Sequence, residues 1–290
     1  MNFRFWVVEL ASLIFFLWGI LEVRKKGASR VGEFLMIFFY ALLLEKLDMK
    51  IFKSYHYSPH FFGMLGGVPI CIALLWAVIL AGSMSISDAT GIDEPVRPFL
   101  DALLAVWMDL ALDAIAIRIG YWKWVIPLNQ GWFGVPAGNL YAWMWVAFLY
   151  SALARIVRAL WTKDKRWSWG YLAIPPLAYA GLFLELNLLG WIGRVTGLVS
   201  QSGRLLIFAV QFLIFGIVVA ANWKNRDSLP QKVAPVWRVS RLTIHLYFLA
   251  AFFVFGIFRT IPILGAVSLL ILSGEIFFMN RAGLDGHTKS

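Results

Sequence analysis

About nine apolar stretches follow one another along this chain, each close to the roughly twenty residues needed to cross a hydrocarbon layer. They fall at 5–23, 31–52, 62–86, 98–119, 134–160, 170–191, 203–222, 240–258 and 261–279. Only Arg259-Thr260 separates the last two, so an eight-span reading stands beside the nine-span one. The runs are continuous, not alternating, which excludes an outer-membrane barrel. Composition agrees: 14% of residues are charged, against about 25% in soluble domains. The expected fold is all-α, a polytopic transmembrane helical bundle forming a single domain over 1–290.

The net charge of +10 does not indicate a nucleic-acid partner, because no basic stripe forms a separate domain. Lys and Arg gather instead in short loops: Arg24, Lys25, Lys26 and Arg30; then Arg155, Arg158, Lys163, Lys165 and Arg166. A third group is Lys224, Arg226, Lys232, Arg238 and Arg241, and the tail adds Arg281 and Lys289. Alternating spans bring all four groups to one face and leave Lys53, Lys123, Arg194, Arg204 and Arg259 on the other. The positive-inside rule then predicts an inner-membrane protein with its N-terminus outside and its C-terminus cytoplasmic. The first apolar run has no small-residue cleavage site and reads as a retained helix. The single cysteine, Cys71, rules out an internal disulfide and reads as a core thiol.

Acidic residues inside such spans cost on the order of 3 kcal/mol each by insertion scales, so they point to a use. Asp109 and Asp113 lie four positions apart, on one face of an otherwise apolar helix. Trp122, Trp124 and Trp132 follow in a turn region, and Gly134-Val135-Pro136 opens the next apolar run. An earlier stretch repeats the plan 67 positions upstream: Gly67-Val68-Pro69, Tyr55-His56-Tyr57 over Trp122-Lys123-Trp124, and Trp76 over Trp143. The expectation is a parallel repeat of units 31–86 and 98–160, with Glu45 as the acid of the first. At about 1.5 Å per residue, Glu45, Asp109 and Asp113 fall about 16 to 22 Å from the starts of their helices, so one cavity can collect them. Parallel repeats of this kind often carry their site at the interface between units.

Two neighbouring carboxyls in a low-dielectric site can divide into a neutral acid and an ionised partner. Indole and phenol faces stabilise cations by about 0.5–2 kcal/mol each. Together these groups suit an apolar substrate that reacts through a carbocation, of which alkene protonation is the simplest case. Arg118 and Lys46 are the ion-pair partners that a purely structural role would use. Glu185 and Glu275 are intramembrane acids without an assigned role, whereas Glu9 and Glu33 lie near span ends, where hydration is expected. His56 reads as a solvated turn residue, and His245 as bonded to a neighbouring helix. Pro175-Pro176 and Pro262 read as helix starts or kinks. No motif with metal-ligand spacing occurs.

The stretch MDLALDAIAIRIGYWKW, followed by GWFGVPAGNLYAW, resembles the signature of the integral-membrane carotenoid-biosynthesis family. Its characterised members are carotenoid 1,2-hydratases of the CruF type. The family pattern of D-x-x-x-D-P, W-x-W, YFGVP and N-x-x-G-W falls on Asp109 and Asp113, Trp122 and Trp124, Phe133 to Pro136, and Asn139 with Trp143. An upstream Glu, Y-x-Y and GVP fall on Glu45, Tyr55, Tyr57 and Gly67 to Pro69. The likeness covers roughly 33–160. Ala114 replaces the usual proline, Trp132 the usual tyrosine, and Ala142 the usual glycine.

The resemblance implies cofactor-free hydration of the terminal double bond of an acyclic carotenoid end group. Catalytic roles would fall to Asp109, Asp113 and Glu45, with either aspartate as the acid. The end group would lie against Trp122, Trp124, Tyr55, Tyr57, Trp132, Trp143 and Asn139, and the implied partners are the lipophilic polyene and membrane lipid. Three alternatives remain open: an end-group cyclase or isomerase, a proton-coupled transporter, and a pigment- or quinone-binding scaffold. A carrier needs an aqueous route to both faces, whereas an enzyme acting on a lipid needs a slot opening sideways into acyl chains.

Overall fold

The computed structural model describes residues 3–90, 92–223 and 233–281, and among them the chain forms nine α-helices. They are α1 (Phe3–Arg24), α2 (Ala28–Ile51), α3 (Ile70–Ala89), α4 (Arg97–Ala116), α5 (Ala137–Lys163), α6 (Gly170–Thr196), α7 (Gln201–Ala221), α8 (Pro235–Val254) and α9 (Pro262–Arg281). A helix that is apolar all round must be buried in protein or lipid, and both solutions occur. α3 and α4 are buried on nearly every side. Around them α3 packs against α1, α2 and α8, while α4 packs against α5, α7, α8 and α9. The outer helices turn apolar side chains outward, among them Leu10 and Leu17 on α1, Leu184 on α6 and Leu213 on α7.

Five helical segments are long and apolar enough to cross a membrane: Phe3–Arg24, Ile70–Ala89, Ala137–Lys163, Lys165–Thr196 and Gln201–Ala221. α2, α4 and α8 fall outside that group and carry most of the interior charges: Glu33 and Glu45, Asp101 with Asp109 and Asp113, and Arg241; Arg155 on α5 and Glu275 on α9 are the others among the described residues. Pro175 and Pro176 lie inside α6, and Pro262 starts α9.

The third and fifth helices begin later than the hydropathy runs, at Ile70 and Ala137 instead of 62 and 134. In each case proline takes the extended position just before the helix, at Pro69 and Pro136. Residues ahead of it form a tight antiparallel turn: β2 (Met64–Leu65) with β3 (Val68–Pro69), and the isolated bridge Trp132↔Val135. Two-residue hairpin turns of this kind need positive φ at both central residues. Gly66 and Gly67 supply 58° and 90°, and Phe133 and Gly134 supply 50° and 87°.

The aromatic-x-aromatic stretches, expected as turns, are short strands. β1 (Tyr55–Tyr57) pairs antiparallel with β4 (Trp122–Trp124), setting Tyr55 opposite Trp124 and Tyr57 opposite Trp122. Ser58 N–H donates to Tyr121 O at 2.9 Å and Val125 N–H to Ser54 O at 2.8 Å. At the 67-residue offset these two bonds are each other's counterparts. Lys53 and Gly120, also 67 apart, both take positive φ.

The two turn glycines differ in their surroundings. A Cβ on Gly67 would meet nothing within 4 Å, but one on Gly134 would lie 3.0–3.1 Å from Leu128, backbone included. Gly67→Ala should therefore cost about 1–2 kcal/mol from the left-handed conformation alone. Gly134→Ala should cost more. Thermal unfolding of the detergent-purified variants measures the difference, and equal losses would remove the Leu128 contact from the account.

Several charges assigned to loops or hydrated span ends are interior. Glu33 is 4% exposed and receives Arg158 Nη2 at 2.8 Å, and Arg155 is paired to Asp101 at 2.8 Å and to Asp88. Arg241, grouped above with a cytoplasmic loop, is fully buried in α8. Lys224, Arg226, Lys232 and the tail from 282 onward lie outside the described residues.

Candidate active site

The acids, the strands and the starts of α3 and α5 enclose a cavity of about 380 Å³. Side chains alternate across a strand, so Tyr55 and Tyr57 share one face of β1 while His56 is exposed on the other. Trp122 and Trp124 share one face of β4 with Lys123 opposite. Pairing of the two strands sets four aromatic side chains side by side along the cavity wall. Tyr55 and Trp124 ring centroids are 4.8 Å apart, and those of Tyr57 and Trp122 5.9 Å.

Glu45 lies in the last two turns of α2, 6% exposed. Its Oε2 accepts the Tyr55 hydroxyl and, at 2.6 Å, the Tyr57 hydroxyl, while Oε1 accepts Trp76 Nε1 at 2.9 Å. Burial, and after it the neighbouring Glu45 carboxylate, pushes both phenols well above their usual range, so each stays a donor.

Asp113 is equally well supplied. Trp122 Nε1 and Trp124 Nε1 donate to its Oδ1 at 2.6 and 3.1 Å. Asn139, in the first turn of α5, donates through Nδ2 to Asp113 Oδ2 at 2.7 Å and to Asp109 Oδ2 at 3.0 Å. One amide thus spans the two carboxyls. Asp109 receives only that bond, and its Oδ1 is buried with no partner among the described residues. Neither expected counter-ion reaches the pair: Arg118 donates to the carbonyls of Ala114 and Phe133, both at 2.7 Å, and Lys46 to that of Gly66.

Trp143 lies against Trp76, with ring centroids 4.0 Å apart, and both line the cavity. Trp132 does not. Its indole donates to Leu110 O at 2.7 Å and ties the second turn to α4. Sequence reasoning left out Trp76 as a site residue, although the offset that pairs it with Trp143 could have found it. It also left out Asp48, one turn beyond Glu45, and Gln201 and Arg204 at the start of α7, all of which line the cavity. Nothing local in the sequence marks those α7 residues. Among the described residues no cluster of three or more His, Cys, Asp or Glu side chains could hold a metal ion.

The other intramembrane acids are engaged elsewhere. Glu275 pairs with Arg241, with His245 Nε2 3.7 Å away, and Glu185 accepts the Tyr141 hydroxyl at 3.2 Å. Glu9 accepts the backbone N–H groups of Phe62 and Gly63, at 2.7 and 2.9 Å.

Fold and cavity together define a helical membrane protein with buried carboxyl groups and indoles lining a cavity in its bundle. More particularly, the chain belongs to the carotenoid biosynthesis protein family, whose model matches residues 3–202. All four cavity acids fall within the matched stretch, and α8 and α9 lie beyond it. No curated protein and no solved structure matches the chain.

Proposed function

We propose that this member of the family hydrates the terminal trisubstituted double bond of an acyclic carotenoid end group, without a cofactor. The observation that carries the reading is the unequal supply of hydrogen bonds to two carboxyls bridged by one amide, that of Asn139. Three N–H donors converge on Asp113, as an anion requires, whereas among the described residues Asp109 receives one and keeps a buried oxygen without a partner. Asp109 is accordingly assigned the proton and Asp113 the charge. Glu45, with three donors of its own, is assigned as a second anion.

In the proposed reaction the alkene π bond takes the Asp109 proton at its less substituted carbon, leaving a tertiary cation. The faces of Trp122, Trp124 and Tyr57 and the charge on Asp113 stabilise that cation. Water held beside Asp113 and Glu45 forms the new C–O bond, and its surplus proton returns to Asp109. The product is a tertiary alcohol and the site ends as it began. The duplicated strand-and-turn geometry supports reading 31–86 and 98–160 as a repeat in which the second unit carries the acid. Orientation with the N-terminus outside and the C-terminus cytoplasmic completes the proposal.

Expression in a lycopene-producing host with pigment mass analysis tests the reaction. Hydration adds the mass of one water. An unchanged mass with a new chromophore would instead mean cyclisation, and unaltered pigment would remove the reading.

A further inference from the structure

A second cavity, of about 120 Å³, lies behind the first. Its walls come from Val8 and Ala11 of α1, Leu75 and Ile79 of α3, and Ile244 and Phe248 of α8. It shares Ile72, Trp76, Trp122 and Trp143 with the acid-lined cavity, so those four side chains are the partition between the two. The openings differ in chemistry. Around the acid-lined cavity the outer wall includes Asp48, Ser54, Gln201 and Arg204, groups that water can solvate, beside the exposed apolar Phe52 and Val125. The second cavity reaches the surface at partly buried Ala11 and Thr243, between α1 and α8, beside the exposed apolar Leu10 and Leu246.

The partition is held unevenly. Trp76 is fixed by its bond to Glu45, and Trp122 by its bond to Asp113. Trp143 makes no hydrogen bond among the described residues and is held by the tilted contact of its ring with that of Trp76.

We propose that the apolar cavity between α1, α3 and α8 seats the part of the substrate's hydrocarbon chain next to its end group, the rest of the chain lying in lipid, and that Trp143 is the gate through which the end group reaches the acids. The polar opening then serves water. This division answers a requirement of any hydration of a lipid: an apolar chain and water must reach one carbon without sharing a route. The larger cavity is left to hold the end group and water together. The inference rests on the proposed reaction for what happens beyond the gate, but the seat itself can be measured without turnover.

The probe is lycopene retained per mole of detergent-purified full-length protein after detergent exchange. Ala11→Trp fills the apolar cavity from α1, and Thr243→Trp fills it from α8. Each should lower retention at least about tenfold, which corresponds to about 1.4 kcal/mol of binding free energy. Gly190 of α6 lines the acid-lined cavity, and a Cβ there would meet only Arg194 Nη1, at 3.7 Å; Gly190→Trp, which narrows that cavity on the α6 side, away from the partition, should leave retention unchanged. The inference is overturned if wild type retains no more lycopene than a detergent blank. It also fails if both filling variants, with wild-type melting temperatures, retain the pigment fully, or if Gly190→Trp alone releases it. Retention that depends on Ala11 and Thr243 in a protein that adds no water would instead sink the reaction and spare the seat. A short acyclic alkene such as myrcene, which needs no seat, should still gain water in Ala11→Trp.

Discussion

Asp109→Asn should abolish hydrated product, by about 10²–10⁴-fold as expected for loss of a general acid, in a protein that still inserts and melts normally. The amide is nearly the shape of the acid and can keep a contact with Asn139, but it has no proton to give. Asp113→Asn should lose activity for a different reason. Its side-chain oxygen can still accept from Trp122 and Trp124, whereas the negative charge facing the cation is gone. The two variants are therefore expected to differ in rescue. Asp109→Glu restores a transferable proton and should recover part of the rate, while Asp109→Gln should not. Pigment mass analysis in whole cells, with membrane protein levels measured alongside, decides it. Full activity in both asparagine variants and in the double variant would remove the carboxyls from the reaction.

How far the sequence discloses such a site depends on the range of the interactions that build it. Asp109 and Asp113 were legible because a helix sets residues four apart on one face, whatever lies around it. The offset linking Tyr55 and Tyr57 to Trp124 and Trp122 was legible as well, though as turns. Three-residue strands have too few positions for a period-two signal, and their pairing joins segments far apart in the chain. Asn139 as the bridge between the aspartates could not be read, since it depends on how closely the first turn of α5 meets α4. Trp132 was misplaced for the converse reason. It sits in the aromatic motif, but the positive-φ turn at Phe133 and Gly134 is accompanied by an indole directed at the α4 backbone, away from the cavity. Loop charges misled most. Hydropathy alone cannot distinguish an arginine in water from one paired inside the bundle, and Arg155, Arg158 and Arg241 are of the second kind.

Arg241 carries the second large expectation. Its guanidinium is fully buried and forks onto Glu275, Nε to Oε1 at 2.5 Å and Nη2 to Oε2 at 3.0 Å. The remaining donors reach Ser83 Oγ and Leu104 O, both at 3.0 Å, so one side chain ties α8 to α9, α3 and α4. Burying such a pair brings little net stability, but removing one partner strands the other charge, at a cost of about 3–5 kcal/mol. That is a large part of the 5–15 kcal/mol that holds a typical domain together. Glu275→Leu should therefore lower the melting temperature sharply in detergent and deplete the protein from membranes. Arg241→Met should do the same, while also leaving Ser83 and the Leu104 carbonyl without their donor. Combining the two substitutions removes both charges and should recover most of the loss, and it is the recovery that separates a stranded charge from lost packing. Leu104 lies little more than one turn before Asp109 on α4, so the single variants should lose hydration along with stability, and the double variant should regain it. If the double variant is as unstable as the sum of the singles, the pair is acting through packing, and the tie between α8–α9 and the acid-bearing helix is not electrostatic.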